Sequence, residues 1–273
     1  MIQHTLSVIG VGNMAKAIIN GMRASQNNAI SKYVLFDKNH EQYETLSIDQ
    51  MFRIATSVAE AAENADLVLL SVKPQNYDEV LTELSTVPGH QDKLYISIGA
   101  GITVDSVSRM LSGARVVRVL PNVPMLIGQG VSLICRNNAV ASEDFELVCE
   151  IFRSAGSTLL IDEEEMNRMI GVTSSSPAYV FRFIHAIEMA AKAQGIEGNQ
   201  LRAAICDVVI GSAMMLKQTD EPTEVLIQKV ASKGGTTEKA LEQLNVEHFD
   251  EIIQKAMCAC TARANELGAG KKN

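Results

Sequence analysis

The chain contains no tryptophan, and phenylalanine and tyrosine bring its aromatic content to only 4%. A core this poor in aromatics is expected to pack through Met, Ala, Leu and Ile on helices, and not as an aromatic β-sandwich; the 12 methionines fit that expectation. Cysteine is sparse. The five residues Cys135, Cys149, Cys206, Cys258 and Cys260 are odd in number and form no C-x-x-C pair, so they read as reduced thiols suited to a reducing cytoplasm. The five histidines are scattered, with no two at ligand spacing, and no metal site is expected. Positive charge is in the minority: 24 Lys and Arg against 32 Asp and Glu give a net charge of −8. Such a chain has no general affinity for nucleic acid or for an anionic membrane, so any anionic ligand must be held by local dipoles and a few lysines. Long apolar runs are also missing. The N-terminal run Leu6-Ser-Val-Ile-Gly-Val is broken by glycine and follows no basic segment, so neither a signal peptide nor a membrane span is expected.

What is present is an ordinary globular balance over 273 residues, 47% apolar and 21% charged, enough for one large or two ordinary domains. Residues 5–9 read as a short buried strand. Gly10-Val-Gly-Asn-Met-Ala15 follows, and then a helical run from Lys16 to Arg23. This is G-x-G-x-x-A in the strand–turn–helix setting that a dinucleotide requires. Gly10 permits the tight turn, Gly12 lets a pyrophosphate approach the backbone, and Ala15 lets the helix pack close to the sheet. The amides of residues 12–15 and the helix dipole then face the phosphates.

The alternation continues through strands at 33–36, 66–71, 93–98 and 115–120, with helices near 40–48, 57–63, 76–85 and 103–111. That pattern predicts a doubly wound, mostly parallel sheet covered by helices on both faces, with ligand-binding loops at one edge. Asp37 ends the second strand, in the slot of an acidic group on the adenosine ribose, which favours NADH. Lys38 and Asn39 follow and offer partners to a 2′-phosphate, which favours NADPH. The residues alone leave the two open.

Alternation ends near Ile161, so residues 1–161 form a dinucleotide-binding domain and residues 162–273 an all-helical one. Helices are expected at 178–194, 200–217, 222–230, 236–244 and 247–267, with a frayed tail from Gly268 to Asn273. Residues 200–217 are apolar nearly all round, which in so small a domain predicts burial against another subunit. His185, with Glu188 one helical turn on, is read as a helix-surface histidine and not as a catalytic pair. The first long helix offers no lysine before Lys192; it starts instead at the hydroxyl-rich turn Thr173-Ser-Ser-Ser-Pro-Ala-Tyr179.

A second glycine turn, Ser232-Lys-Gly-Gly-Thr-Thr-Glu-Lys-Ala-Leu241, leads into a helix. The amides of Gly234, Gly235, Thr236 and Thr237 suit a small carboxylate. A pocket of hydroxyls and amides without a strong general base fits reduction of a cyclic imine, because an iminium is already electrophilic and the cofactor carries the hard step. Another cyclic imine, a small keto acid, or a dinucleotide-responsive dimer module without catalysis remain alternatives at this stage.

These residues together resemble the pyrroline-5-carboxylate reductase family. The likeness runs over nearly the whole chain, through Ile9-Gly-Val-Gly-Asn-Met-Ala15, Ser71-Val-Lys-Pro-Gln75, Ser97-Ile-Gly-Ala-Gly-Ile-Thr103, Pro121-Asn-Val-Pro124, Ser174-Ser-Ser-Pro-Ala-Tyr-Val-Phe181 and Val230-Ala-Ser-Lys-Gly-Gly-Thr-Thr237. The resemblance implies reduction of 1-pyrroline-5-carboxylate to L-proline with NADPH or NADH. It also implies a homodimer with the active site at its interface, commonly assembled further into decamers. It assigns the cofactor to Ile9, Gly10, Val11, Gly12, Asn13, Met14, Lys38, Ser71, Val72, Lys73 and Pro74, with Gly99, Ala100, Gly101 and Asn122 at the nicotinamide end. It assigns the substrate carboxylate to Ser232, Gly234, Gly235 and Thr236. Thr237 is implied as the catalytic hydroxyl on the substrate nitrogen, with Ser175 nearby. The chain departs from the family pattern at Val123, Lys233, Ser174 and Ser176, and none of these removes the amides or Thr237.

Overall fold

The computed structural model describes residues 3–25, 29–44, 46 and 49–269. The chain separates into two compact units, Met1–Ser175 with Cys260–Asn273, and Ser176–Ala259. The first unit is an eight-stranded sheet. Its strands are β1 (His4–Ile9), β2 (Ile30–Phe36), β3 (Phe52–Ile54), β4 (Leu67–Leu70), β5 (Leu94–Ser97), β6 (Arg115–Leu120), β7 (Gly130–Arg136) and β8 (Gly156–Leu160). They lie in the order β3-β2-β1-β4-β5-β6-β7-β8. Every neighbouring pair is parallel except β6 and β7. Helices α1 (Asn13–Ala24), α2 (Val58–Ala62), α3 (Tyr77–Leu84), α4 (Val104–Met110), α5 (Ser142–Arg153) and α6 (Glu163–Met169) complete it.

Side chains of a strand alternate between faces, and here both faces are buried. Leu6, Val8, Leu67 and Leu69 join one apolar cluster with Ile18, Ile19 and Phe152. Their neighbours Ile9, Val68 and Leu70 join a second with Val58, Val80, Leu81 and Val107. Met166 on α6 packs with Leu120, Leu133 and Cys135, which fastens α6 to the end of the sheet.

The reverse direction of β7 follows from its connection. Only residues 121–129 join β6 to β7, with one short 3-10 turn at Val123–Ile127, and a parallel return needs a crossover of a dozen or more residues. Between β7 and β8 the helix α5 supplies that crossover, and the pair is parallel. The helix expected at 40–48 is a 3-10 turn at His40–Tyr43, capped by Asn39, whose side chain accepts from the Glu41 amide; residues 45, 47 and 48 lie outside the described residues. Strands β3, β7 and β8 and helix α5 are additions to the sequence reading.

The second unit is helical: α7 (Ser176–Ala193), α8 (Leu201–Lys217), α9 (Thr223–Val230), α10 (Thr236–Val246) and the first part of α11 (Phe249–Ala269). No strand follows Leu160 among the described residues. Pro177 sits in the first turn of α7, where a missing amide hydrogen costs nothing. On α8 only Ile205 is buried, while Val208, Ile210, Met214 and Met215 are each more than half exposed. So much exposed apolar surface on one helix marks an interaction surface. Of the expected tail, Gly268 and Ala269 belong to α11, and residues 270–273 lie outside the described residues. Among the described residues no helix is long and apolar enough to cross a membrane.

Candidate active site

The first glycine turn connects β1 to α1. Gly10 has φ +91, a conformation that side chains resist, and a Cβ there would lie 2.6 Å from the Ser71 carbonyl oxygen. Gly12 is different. It is the extended N-cap of α1, and a Cβ on it would meet nothing within 4 Å. The first glycine is therefore demanded by the fold, and the second keeps open the space in front of the helix. Ala15 is fully buried, as its slot requires. Val11 is buried, Asn13 exposed and Met14 packed partly on the core.

A cavity of about 380 Å³ opens at the carboxyl ends of β1, β2 and β4, with Gly10, Gly12, Asp37, Lys38, Ser71 and Lys73 on its walls. The empty space before Gly12, the uncapped helix N-terminus and this cavity fit a dinucleotide. Asp37 is already engaged: Oδ2 accepts from the Val11 amide at 2.7 Å and Oδ1 from the Asn39 amide at 2.8 Å. It ties the glycine turn to the end of β2. Lys38 Nζ pairs with both oxygens of Glu79 at 2.8 Å, an exposed pair held only weakly.

The loops after β4 and β5 carry Ser71–Pro74 and Gly99–Gly101. Val72 packs on the second apolar cluster, Lys73 is exposed, and Pro74 opens a short 3-10 turn. Gly99 is buried while Ala100 is exposed. Asn122, at the end of β6, is buried, and its amide is used on both sides: Nδ2 donates to the Thr173 carbonyl at 3.0 Å and Oδ1 accepts from the Val131 amide at 2.8 Å. Ser175 Oγ lies 3.2 Å from Cys260 Sγ, and the neighbouring Ser174 hydroxyl is buried without a hydrogen-bond partner.

The second glycine turn lies in the helical unit. The Gly235 amide donates to the Ser232 carbonyl at 2.9 Å, closing the turn. The Gly234 amide donates to Glu238 Oε2 at 2.7 Å. Glu238 is the third residue of α10, where Gly235 is an N-cap without a side-chain bond. Of the four amides grouped by sequence, Gly234 and Gly235 thus have internal partners. Thr236 and Thr237 open the helix, where backbone amides have no intrahelical acceptor. Ser232, Lys233 and Thr236 are exposed and Thr237 half-buried. His185 Nδ1 stands 3.9 Å from Glu188, which is bonded to Arg202 at 2.7 Å, so no carboxylate is reserved to orient that imidazole. Sequence reasoning missed Glu238 as a cap, although a glutamate at the third helical position is the usual signal for one.

A glycine turn and cavity at the carboxyl edge of a mostly parallel sheet, with a helical unit behind it in sequence, define a dinucleotide-binding fold. Residues 5–101 match the family model described as NADP oxidoreductase coenzyme F420-dependent, and residues 163–267 match pyrroline-5-carboxylate reductase dimerisation. The pyrroline-5-carboxylate reductase of Escherichia coli (strain K12) is 34% identical over 97% of this chain and 98% of its own. That of Aquifex aeolicus (strain VF5) is 30% identical over 96% and 97%. Among solved structures, the Plasmodium falciparum pyrroline carboxylate reductase with NADP bound superposes with a TM-score of 0.85, at 27% identity and coverage of 97% of this chain and 98% of its own. The Coxiella burnetii enzyme gives 0.86 at 28%, with the same coverage. The chain belongs to the pyrroline-5-carboxylate reductase family, and its helical region is that family's dimerisation region.

Proposed function

We propose that the chain reduces 1-pyrroline-5-carboxylate to L-proline, the last step of proline biosynthesis, with NADPH as donor and NADH as the weaker alternative. The observation that carries this reading is the 34% identity over 97% of the chain to a reductase of that name. Bound NADPH supplies the hydride for the C=N carbon. Residues 1–161 hold it: the turn from Ile9 to Met14 and the α1 dipole take the pyrophosphate, Ser71–Pro74 flank it, and Gly99–Gly101 with Asn122 line the nicotinamide end. Support for NADPH comes from the cations beside Asp37, whose charge is partly offset by the Val11 and Asn39 amides. Lys38 and Lys73 on the cavity wall then face a 2′-phosphate.

In this reading residues 162–273 carry the substrate turn and the dimer contact. The Thr236 and Thr237 amides grip the substrate carboxylate, helped by Ser232 and the Gly234-Gly235 turn. The Thr237 hydroxyl holds the ring nitrogen, with Ser175 beside it. The active site forms at the interface of a homodimer, which assembles further into a decamer in the cytoplasm. The exposed apolar face of α8 supports subunit burial.

The test mixes purified protein with NADPH and pyrroline-5-carboxylate and follows the nicotinamide absorbance. Consumption of NADPH is expected; no turnover with either cofactor ends the reading. Thr237→Ala is expected to slow the chemical step by roughly tenfold to a thousandfold, the scale of one oriented polar group. An unchanged rate would place the hydroxyl elsewhere.

A further inference from the structure

The loops assigned to the cofactor are tied to one another by a side chain that none of them contains. Tyr77 opens α3 and is fully buried. Its hydroxyl donates to the Leu70 carbonyl at 2.8 Å and accepts from the Gly99 amide at 2.9 Å; Ser97 Oγ lies 3.1 Å away. Leu70 is the last residue of β4, directly before Ser71–Pro74. Gly99 begins the turn after β5. One hydroxyl therefore adds to the Ile98-to-Leu70 backbone bond of 3.2 Å at the ends of two adjacent strands, where the two loops depart.

The ring adds a steric stop. A Cβ on Gly99 would lie 2.7 Å from the ring carbons Cε2 and Cζ and from the hydroxyl. On its other side the loop after β4 meets the first glycine turn, since a Cβ on Gly10 would lie 2.6 Å from the Ser71 oxygen. Backbone contact thus runs from Gly10 to Ser71, and through Tyr77 to Gly99. Burial pushes the phenol up to about 12, so it stays a donor across the physiological range.

We propose that Tyr77 is a positioning residue whose hydroxyl fixes the spacing between the Ser71–Pro74 loop and the Gly99–Gly101 turn, and with it the affinity for the cofactor. It acts without touching the cofactor, because it is closed off from solvent. The inference rests on the reading of these loops as the nicotinamide-nucleotide site. Loss of the hydroxyl leaves the Leu70 carbonyl with the Ile98 amide, which donates to it at 3.2 Å, but takes from the Gly99 amide the acceptor that holds the start of the turn, and a displacement near 1 Å in such a site has large effects.

The test is Tyr77→Phe, which keeps the ring and removes only the hydroxyl. NADPH binding measured directly by calorimetry is expected to weaken by about tenfold, and the KM for NADPH to rise with it, while the KM for pyrroline-5-carboxylate stays within about twofold. Ser97→Ala removes the third partner and neither loop bond, and is expected to leave NADPH affinity within about twofold. Unchanged NADPH affinity in Tyr77→Phe, or an equal loss in Ser97→Ala, overturns the inference. Direct binding separates it from the functional reading. If Tyr77→Phe loses affinity while the wild type fails to reduce the imine, the positioning role stands and the substrate assignment falls. Should Tyr77→Phe fail to fold, hydrogen exchange on the wild type decides. The Gly99 amide is expected to be protected without cofactor, and exchange at the rate of an open loop overturns the proposal.

Discussion

Two alanine substitutions two positions apart in the first glycine turn should have opposite signatures. At Gly10 an added Cβ falls 2.6 Å from the Ser71 oxygen, 2.7 Å from its carbonyl carbon and 2.9 Å from the Val72 nitrogen, where ordinary contact begins at 3.4 Å. All three are backbone atoms that no rotamer change can move. The residue must also hold φ +91, which costs about 1–3 kcal/mol for an L side chain. Forced overlap adds about 1–3 kcal/mol. A loss near 3 kcal/mol corresponds to a fall in Tm of roughly 6–12 °C for a chain of this size. At Gly12 the backbone is extended, with φ −74, and the added methyl meets nothing within 4 Å. The fold loses only the modest preference of an N-cap for glycine over alanine, about 1 kcal/mol or less. The methyl instead fills the space that the pyrophosphate needs and removes amide contacts to charged oxygens, each worth about 1.5–3 kcal/mol, so NADPH affinity should fall at least tenfold. Far-UV circular dichroism melts and NADPH calorimetry on Gly10→Ala and Gly12→Ala check this. Equal Tm losses in the two variants, or full NADPH affinity in Gly12→Ala, would refute the division between a glycine kept for the fold and one kept for the ligand.

Two further outcomes follow from carboxylates. Glu238→Gln keeps an acceptor for the Gly234 amide but removes a negative charge from the turn assigned to the substrate carboxylate; relief of like-charge repulsion of about 0.7 kcal/mol should lower the KM for pyrroline-5-carboxylate about threefold, and a raised KM counts against that placement. Glu60 accepts from the Thr56 amide and hydroxyl and from Arg53, and the Thr56 bonds, ahead of the Arg53 contact, hold its carboxyl near 2 against an ordinary value of 4.5. Its stabilising effect is therefore complete above about pH 4.5 and lost as pH falls toward 2. The Tm difference between wild type and Glu60→Gln should close over that window, and a gap independent of pH would contradict it.

The parts of this molecule visible in the sequence are those written locally. Residues 5–9, Gly10, Gly12, Ala15 and the following helix announce themselves by period and by glycine spacing, and the long helices from 176 onward by the absence of any competing pattern. The parts that were hidden depend on distant partners. β3 has three residues on the sheet edge, too few for a period. β7 is not among the expected strands, and the length of its connection sets its antiparallel direction. Asp37 stands where a ribose ligand is expected, and each of its oxygens also accepts a backbone amide, from Val11 and from Asn39, a structural use that no spacing rule reveals. Tyr77 looks like a core aromatic because Leu70, Ser97 and Gly99, which its hydroxyl meets, lie outside α3.

Both glycine turns meet the same difficulty in the same way. A turn that presents several amides to an anion is a set of unsatisfied donors when the anion is away. In each turn one carboxylate of the chain takes one amide: Asp37 on Val11, and Glu238 on Gly234, both at 2.7 Å. The turn is thereby ordered before the ligand arrives, so binding does not have to supply that ordering. In the proposed function the arrangement lets a chain with net charge −8 take two anionic ligands. Attraction comes from the remaining amides and from the dipoles of α1 and α10, which act over a single helical turn. The surplus of acidic side chains elsewhere is screened beyond about 10 Å. The proposed sites carry an expected selectivity from the same geometry: an anion fits the amides that Asp37 and Glu238 leave free, and one large enough to need the occupied amide meets a fixed negative charge.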